Sequence, residues 1–188
     1  MVAQLEARKF SPSAENSSYI VEGLVQVFTS SDRKFFTNVM AQALRIAGQG
    51  TPVLIVQFFK GGINQGHEQP VKLGQHLDWI RCDLPGAIPT VANTLLETDE
   101  SQLSIDKRKK KAVEELWHHT QSVVLEGNYS LIVLDELSLA INTGLIVLND
   151  VLELIKKRPR HLDLVLTGPD MPPAILEVAD QITEVRRT

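Results

Sequence analysis

The sequence predicts a three-layer α/β/α domain on a mostly parallel sheet, and three observations point there. Residues 53–59, 131–136 and 162–168 are short runs that are apolar on both faces, as strands buried between helical layers are. Segments of helical period, with ten or more residues each, alternate with those runs, the pattern of βαβ units. Glycine and proline punctuate the junctions, at Gly48, Gly50, Gly127 and Pro159. With 188 residues, 43% of them hydrophobic, the chain can bury a core without disulfide or metal staples.

Taken in order, residues 1–20 carry Ser11, Pro12, Ser13, Asn16, Ser17 and Ser18 with few apolar anchors, and read as a flexible arm without the apolar stretch of a signal peptide. Residues 21–188 read as one domain. Residues 23–29 form a short β-rich run. Phe36, Val39, Met40, Ala43, Leu44 and Ile46 then recur at helical spacing until Gly48. Residues 61–70 read as a glycine-bearing loop, 76–82 as another strand and 83–100 as an irregular excursion. From 105 to 125 the pattern is helical, with Ala112, Val113, Leu116, Trp117, Thr120, Val123 and Val124 on one stripe. Residues 148–159 predict a helix stopped by Pro159, with Lys156 and Lys157 suited to its C-terminal dipole. Residues 172–180 predict a short helix started by proline, and 181–185 a last strand.

The composition narrows the function classes. Lys and Arg number 19 against 23 Asp and Glu, a formal charge of −4, which argues against a nucleic-acid partner because phosphate contacts need a basic face. Cys82 is the sole cysteine, which excludes an intramolecular disulfide and a cysteine zinc cluster. No apolar run reaches the roughly 18 residues of a membrane span. The expectation is a soluble cytoplasmic protein.

Open α/β sheets bind ligands at the carboxyl ends of their strands. The first such turn is where a phosphate-binding loop, G-x-x-x-x-G-K-[ST], would sit. Its glycines let backbone N–H groups curl around phosphate, its lysine neutralises the terminal phosphate, and its hydroxyl holds magnesium. The chain offers Ser30, Ser31, Asp32, Arg33, Lys34, Phe35, Phe36 and Thr37 there, with no glycine. Asp32 is a preferred helix N-cap, which would occupy the N–H groups that a phosphate needs.

At these residues the chain resembles the P-loop type of ATP:corrinoid adenosyltransferase, whose opening reads like G-L-V-Q-V-Y-T-G-D-G-K-G-K-T-T. Residues 23–29 match it almost letter for letter. Colinear matches follow at Val56, Gln57, Phe58, Lys60 and Gly61; at Gly66 and Glu68, with His67 inserted-looking between them; and at Trp117. They continue at Leu134, Asp135, Glu136, Leu137, Leu139 and Ala140, at Glu153, Leu154, Arg158 and Pro159, at 166–168, and through Ile175, Leu176, Glu177, Ala179 and Asp180. The resemblance implies a P-loop NTPase-like fold, adenosyl transfer from ATP to the cobalt of a reduced corrinoid with Mg2+, and a homodimer. It places the loop glycines on Ser30, Asp32 and Lys34, the lysine on Phe35 and the magnesium-binding hydroxyl on Phe36. Sliding the register to use Lys34 leaves Arg33 and Phe35 where glycine and hydroxyl are needed. Gln57, Lys60 and Glu68 fall on the substrate side. Further departures are Pro169 and Asp170 after Gly168, where the family has a Gly-Arg-Gly-like turn, and the want of an aromatic G-F-T-W counterpart at 89–99.

Asp135 and Glu136 close a buried strand, and read either as a ligand- or metal-binding pair or as carboxylates that cap and pair locally. Residues 107–111 are five consecutive cations, read as a solvated helical face. His118 and His119 are adjacent on a helix and diverge, so they suit one metal poorly; His67 and Glu68 form the better ligand pair. Cys82 reads as buried and inert. No Gly-x-Ser-x-Gly, His-Glu-x-x-His or Gly-x-Gly-x-x-Gly motif supplies other machinery. The expectation is a degenerate, non-catalytic relative acting as a binding or regulatory module for a protein partner, without a cofactor. Two alternatives stand beside it. One is an active adenosyltransferase with a rebuilt nucleotide site, using ATP, Mg2+ and a corrinoid; the other is a non-catalytic corrinoid or tetrapyrrole binder.

Overall fold

The computed structural model describes residues 22–31, 33, 36–61, 66–84 and 99–185. The elements run β1 (Val25–Ser30), α1 (Thr37–Gly48), β2 (Val53–Gly61), β3 (Val71–Lys72), β4 (Leu77–Cys82) and α2 (Asp99–Glu126). They continue with β5 (Leu131–Asp135), α3 (Leu137–Asn142), α4 (Leu148–Lys157), β6 (Asp163–Pro169), α5 (Pro173–Val178) and β7 (Gln181–Glu184). The seven strands lie in the order β3-β4-β2-β5-β6-β1-β7. Every pairing is parallel except that of β3 with β4. The three-layer, mostly parallel fold predicted from the apolar runs is the fold observed.

Alternation along the strands divides the core in two. Leu54, Val56, Ile132, Leu134, Leu164 and Leu166 face one side, where α2, α3, α4 and α5 cover them. Val53, Ile55, Leu131, Val133 and Val165 face the other, under Val39, Met40, Ala43 and Ala47 of α1. That is why β2 is buried from Val53 to Phe59 and β5 along its whole length: each successive residue meets a covered face, not water. Arg158 ties the chain between α4 and β6 to the start of β1, donating to the carbonyl of Gly23 at 3.0 Å.

One local expectation is corrected, and two short elements, α3 and β3, were not anticipated. The helix expected from about residue 105 begins at Asp99, so Asp99 and Glu100 belong to α2 and not to an irregular excursion. The stretch from 99 to 105 holds no proline or glycine, and acidic residues suit a helix N-terminus. The N-cap position of helix α1 is Phe36, without a side-chain cap. Packing sets that start, because the Phe36 ring is buried and meets Phe28 edge-on at 6.5 Å. Helix α3 has too few residues for a period to be read. Strand β3 is a two-residue hairpin partner, returned to β4 through Gly74 at φ +72°. The 1–20 arm, Asp32, Lys34, Phe35 and residues 85–98 lie outside the described residues. Among the described residues, no helix is long and apolar enough to cross a membrane.

Candidate functional site

The strand register builds a polar row at the carboxyl edge of the sheet. Gln57 of β2 pairs with Arg81 of β4 on one side and Asp135 of β5 on the other. Because Leu134 pairs with Leu166, Asp135 stands level with Thr167 of β6. All four follow by two residues the apolar positions that α1 covers, so they share that face of the sheet. The apolar layer ends and a hydrogen-bonded layer begins at one level across four strands.

Gln57, Asp135 and Thr167 are each no more than 1% exposed, so their polar atoms must satisfy one another. Arg81 Nε and Trp79 Nε1 both donate to Gln57 Oε1 at 2.9 Å. Gln57 Nε2 donates to Asp135 Oδ2 at 2.7 Å, and Thr167 Oγ1 donates to Asp135 Oδ1 at 2.8 Å. Burial holds the Asp135 carboxyl above its ordinary range, although the bonds from Thr167 and Gln57 and the charge of Lys60 pull the other way. Lys60 Nζ stands 4.0 Å from Asp135 Oδ2. Its ammonium is pushed below the usual lysine range, chiefly by burial, with Asp135 and Glu136 opposing that shift.

Glu136 adopts the left-handed conformation, φ +61°, directly after the strand. For a residue with a Cβ this costs roughly 1–3 kcal/mol, so the surroundings must hold it there. Thr167 Oγ1 accepts the Glu136 N–H at 3.1 Å, and Arg33 takes the carboxylate with two bonds, Nε to Oε1 at 2.5 Å and Nη2 to Oε2 at 2.9 Å. This fork is the geometry in which guanidinium binds carboxylate best. The same guanidinium stands 5.7 Å from the centre of the Phe59 ring. Its side chain is 35% exposed against 7% for Glu136, so one end of the pair is wet and the other dry. The bond to Glu136 holds Arg33 above its ordinary pKa.

Gly168 completes the wall. It takes φ +140°, and a Cβ there would collide with Ser138 Oγ, which donates to the Pro169 carbonyl at 2.5 Å. Thr29 Oγ1 donates to the Gly168 carbonyl at 2.9 Å, and the Asp170 N–H reaches the Ser30 carbonyl at 3.1 Å. The turn after β6 is therefore laced to the end of β1.

Of the residues singled out in sequence, Arg33, Gln57, Lys60, Asp135 and Glu136 are brought together. Ser30 is buried at the end of β1, Ser31 and Thr37 are exposed, and Phe36 belongs to the core under α1. Glu68 lies elsewhere, in a cleft of about 600 Å3 with His67, Gln69, Asp83, Glu115, His118, His119 and Ser122. In that cleft the His67 and His119 rings lie 5.1 Å apart, and burial, with the charge of His67, lowers the His119 pKa. Thr167, Trp79 and Arg81 were not among the sequence candidates. Their signal was a polar or amphipathic residue at the carboxyl end of a strand, legible once the strands are placed side by side.

The donor set does not fit a magnesium ion held by a loop hydroxyl and a strand carboxylate. Both oxygens of Asp135 accept from neutral donors, both of Glu136 from Arg33, and Phe36 occupies the position the resemblance gives to the hydroxyl. Among the described residues, no three His, Cys, Asp or Glu side chains gather as a metal cage. Cys82 is fully buried, donates to the Phe58 carbonyl at 2.9 Å, and burial pushes its thiol up to about 12. The cations of 107–111 lie on the outer side of α2, where Lys110 and Lys111 pair with Glu114 and Glu115 at 3.7 and 3.5 Å.

Comparison with known proteins gives a consistent picture. The family model described as ATP:corrinoid adenosyltransferase BtuR/CobO/CobP matches residues 21–188. The chain is 27% identical over 164 residues to the corrinoid adenosyltransferase of Escherichia coli K12, covering 87% of this chain and 76% of that protein. It is 26% identical over 173 residues to the corrinoid adenosyltransferase of Pseudomonas aeruginosa, covering 87% and 74%. Against the corrinoid adenosyltransferase of a Sinorhizobium species it is 25% identical over 165 residues, covering 87% and 72%.

Proposed function

The chain belongs to the ATP:corrinoid adenosyltransferase BtuR/CobO/CobP family, and on that premise we propose that it is a member without adenosyl-transfer activity, a binding or regulatory module for a protein partner. The observation that carries this reading is the bidentate pair between Arg33 and Glu136. A phosphate-binding loop offers backbone N–H groups and a free cation to an incoming anion. Here the segment between β1 and α1 carries an arginine that meets a carboxylate of its own chain, and α1 opens on a buried phenylalanine. Fold alone does not confer activity, and the described glycine and hydroxyl positions of such a loop hold a buried Ser30 and a buried Phe36. The family's homodimer arrangement is the natural surface for a partner, and residues 21–188 are proposed to act as one unit.

A second reading is supported by Lys60, held beside Asp135, and by Arg81 at the same edge. Arg33, Lys60 and Arg81 gather at this edge beside Asp135 and Glu136, a concentration of cations that would suit an anionic group. On that reading the chain is an active adenosyltransferase whose nucleotide site has been rebuilt around strand-end cations.

One set of measurements separates the two. ATP with Mg2+, and a cobalamin, are titrated singly and together by calorimetry, and turnover of ATP with a reduced corrinoid is assayed. The module reading expects no adenosylcorrinoid product and no ATP-dependent stabilisation. An active site binding ATP at a hundredfold excess over Kd would raise stability by about 2.7 kcal/mol. Robust turnover would overturn the module reading. A cobalamin spectral change without transfer would identify the ligand as a corrinoid and make the protein a binder of it.

A further inference from the structure

The cleft between the turn after β2 and helix α2 is separate from the polar row at the strand ends. We propose that His67 and His119 form a two-imidazole site for a divalent first-row transition metal of the Zn2+, Ni2+ or Cu2+ class. This goes beyond the family reading and does not depend on it.

Geometry carries the argument. With a metal–nitrogen bond of about 2.1 Å and a nitrogen about 1.1 Å from its ring centre, two imidazoles on one tetrahedral ion have ring centres about 5.2 Å apart. The His67 and His119 ring centres are 5.1 Å apart, with the planes inclined by 39°. The same bond lengths give about 4.5 Å for two cis imidazoles on a square-planar ion and about 6.4 Å for two trans ones, and the observed separation falls within that span.

Both rings stand on supported backbone. His67 lies in a turn closed by the Gln69 N–H on the Gly66 carbonyl at 3.1 Å. Gly66 packs so closely on Asp83 that a Cβ would stand 3.2 Å from the Asp83 Cβ, which fixes the turn against the end of β4. His119 projects from α2, whose Leu116, Trp117 and Thr120 are buried against the sheet. Neither anchor needs to be ordered by the ion.

Charge and access agree with a cation. Glu68 and Asp83 line the cleft beside the imidazoles, while Glu115, also on its wall, is paired with Lys111. Imidazole selects borderline metals over Mg2+ and Ca2+, which prefer all-oxygen sites. Because no third His, Cys, Asp or Glu among the described residues closes the set, two protein ligands hold the ion. Its remaining positions open into a cleft of about 600 Å3, available to water or a small donor ligand.

The test uses the untagged full chain with a substoichiometric amount of Cu2+, read by electron paramagnetic resonance. The wild type should show superhyperfine splitting from two equatorial imidazole nitrogens. His67→Asn and His119→Asn should each reduce that to one and weaken Cu2+ at least about tenfold. His76→Asn, outside the cleft lining, should leave the spectrum unchanged. A wild-type spectrum with fewer than two nitrogens would overturn the proposal. So would a two-nitrogen spectrum surviving in His67→Asn, or one lost in His76→Asn. Circular dichroism checks each fold, and if His119→Asn does not fold, the surface variant His67→Asn decides the matter alone.

Discussion

Replacing Thr167 with valine changes almost nothing in shape and removes one hydroxyl. That hydroxyl does two things at once, donating to Asp135 Oδ1 at 2.8 Å and accepting the Glu136 N–H at 3.1 Å, and the residue is fully buried. A hydrogen bond to a charged group contributes about 1.5–3 kcal/mol, and a buried donor left without an acceptor costs about 1–3 kcal/mol. The two losses share one atom and partly overlap, so Thr167→Val should destabilise by about 3 kcal/mol. For a domain of this size that lowers Tm by roughly 6–12 °C. Equilibrium urea unfolding followed by circular dichroism, with Thr167→Ser as the comparison that keeps the hydroxyl, measures it. The pH dependence has a definite sign. Burial holds the Asp135 carboxyl above its ordinary range, so the folded chain binds that proton more tightly than the unfolded chain. The favourable contribution is present at low pH and is lost as pH rises through the raised folded pKa. Protonated Asp135 needs Thr167 less, so the gap between the valine and serine variants should narrow on acidification. Equal stability of the two variants at neutral pH, within about 0.5 kcal/mol, would refute the network's role.

Gly168→Ala should be strongly destabilising, because the new Cβ meets Ser138 Oγ at a φ of +140°, and adding Ser138→Gly should recover part of the loss in the same unfolding assay. Tyr129 donates to Asp78 Oδ2 at 2.6 Å, and burial with that bond pushes its phenol upward. Its contribution is therefore complete below the unfolded pKa of about 10 and declines as pH rises toward the folded value; Tyr129→Phe should flatten the alkaline limb of a stability–pH curve. Cys82, with its thiol near 12, should resist a thiol reagent at neutral pH until urea unfolds the chain, and rapid native labelling would contradict its burial.

Much of the architecture was legible because it depends on local pattern. Short, nearly continuous apolar runs bounded by breakers suit strands covered on both faces, and Val39, Met40 and Ala43 recur at helical spacing whatever lies around them. The loss of glycine from the segment between β1 and α1 was equally visible, since a phosphate cradle is a backbone device written in consecutive residues. The start of α2 was missed because no breaker marks it, and α3 because six residues do not establish a period.

What the sequence determined, then, is the alternation of strands and helices, the family and the absence of a glycine cradle; each is carried by neighbouring residues. Only the tertiary structure decided what Arg33 does. Its partner Glu136 lies 103 positions away, just as Gln57 lies 78 from Asp135 and Asp135 lies 32 from Thr167. Strand order and register bring such pairs together, and they are set by the packing of whole layers. The same is true of His67 and His119, an unremarkable loop residue and a helix residue until the turn after β2 is laid against α2. Local chemistry is written along the chain, whereas charge pairing depends on distance in space, and that distance exists only after folding.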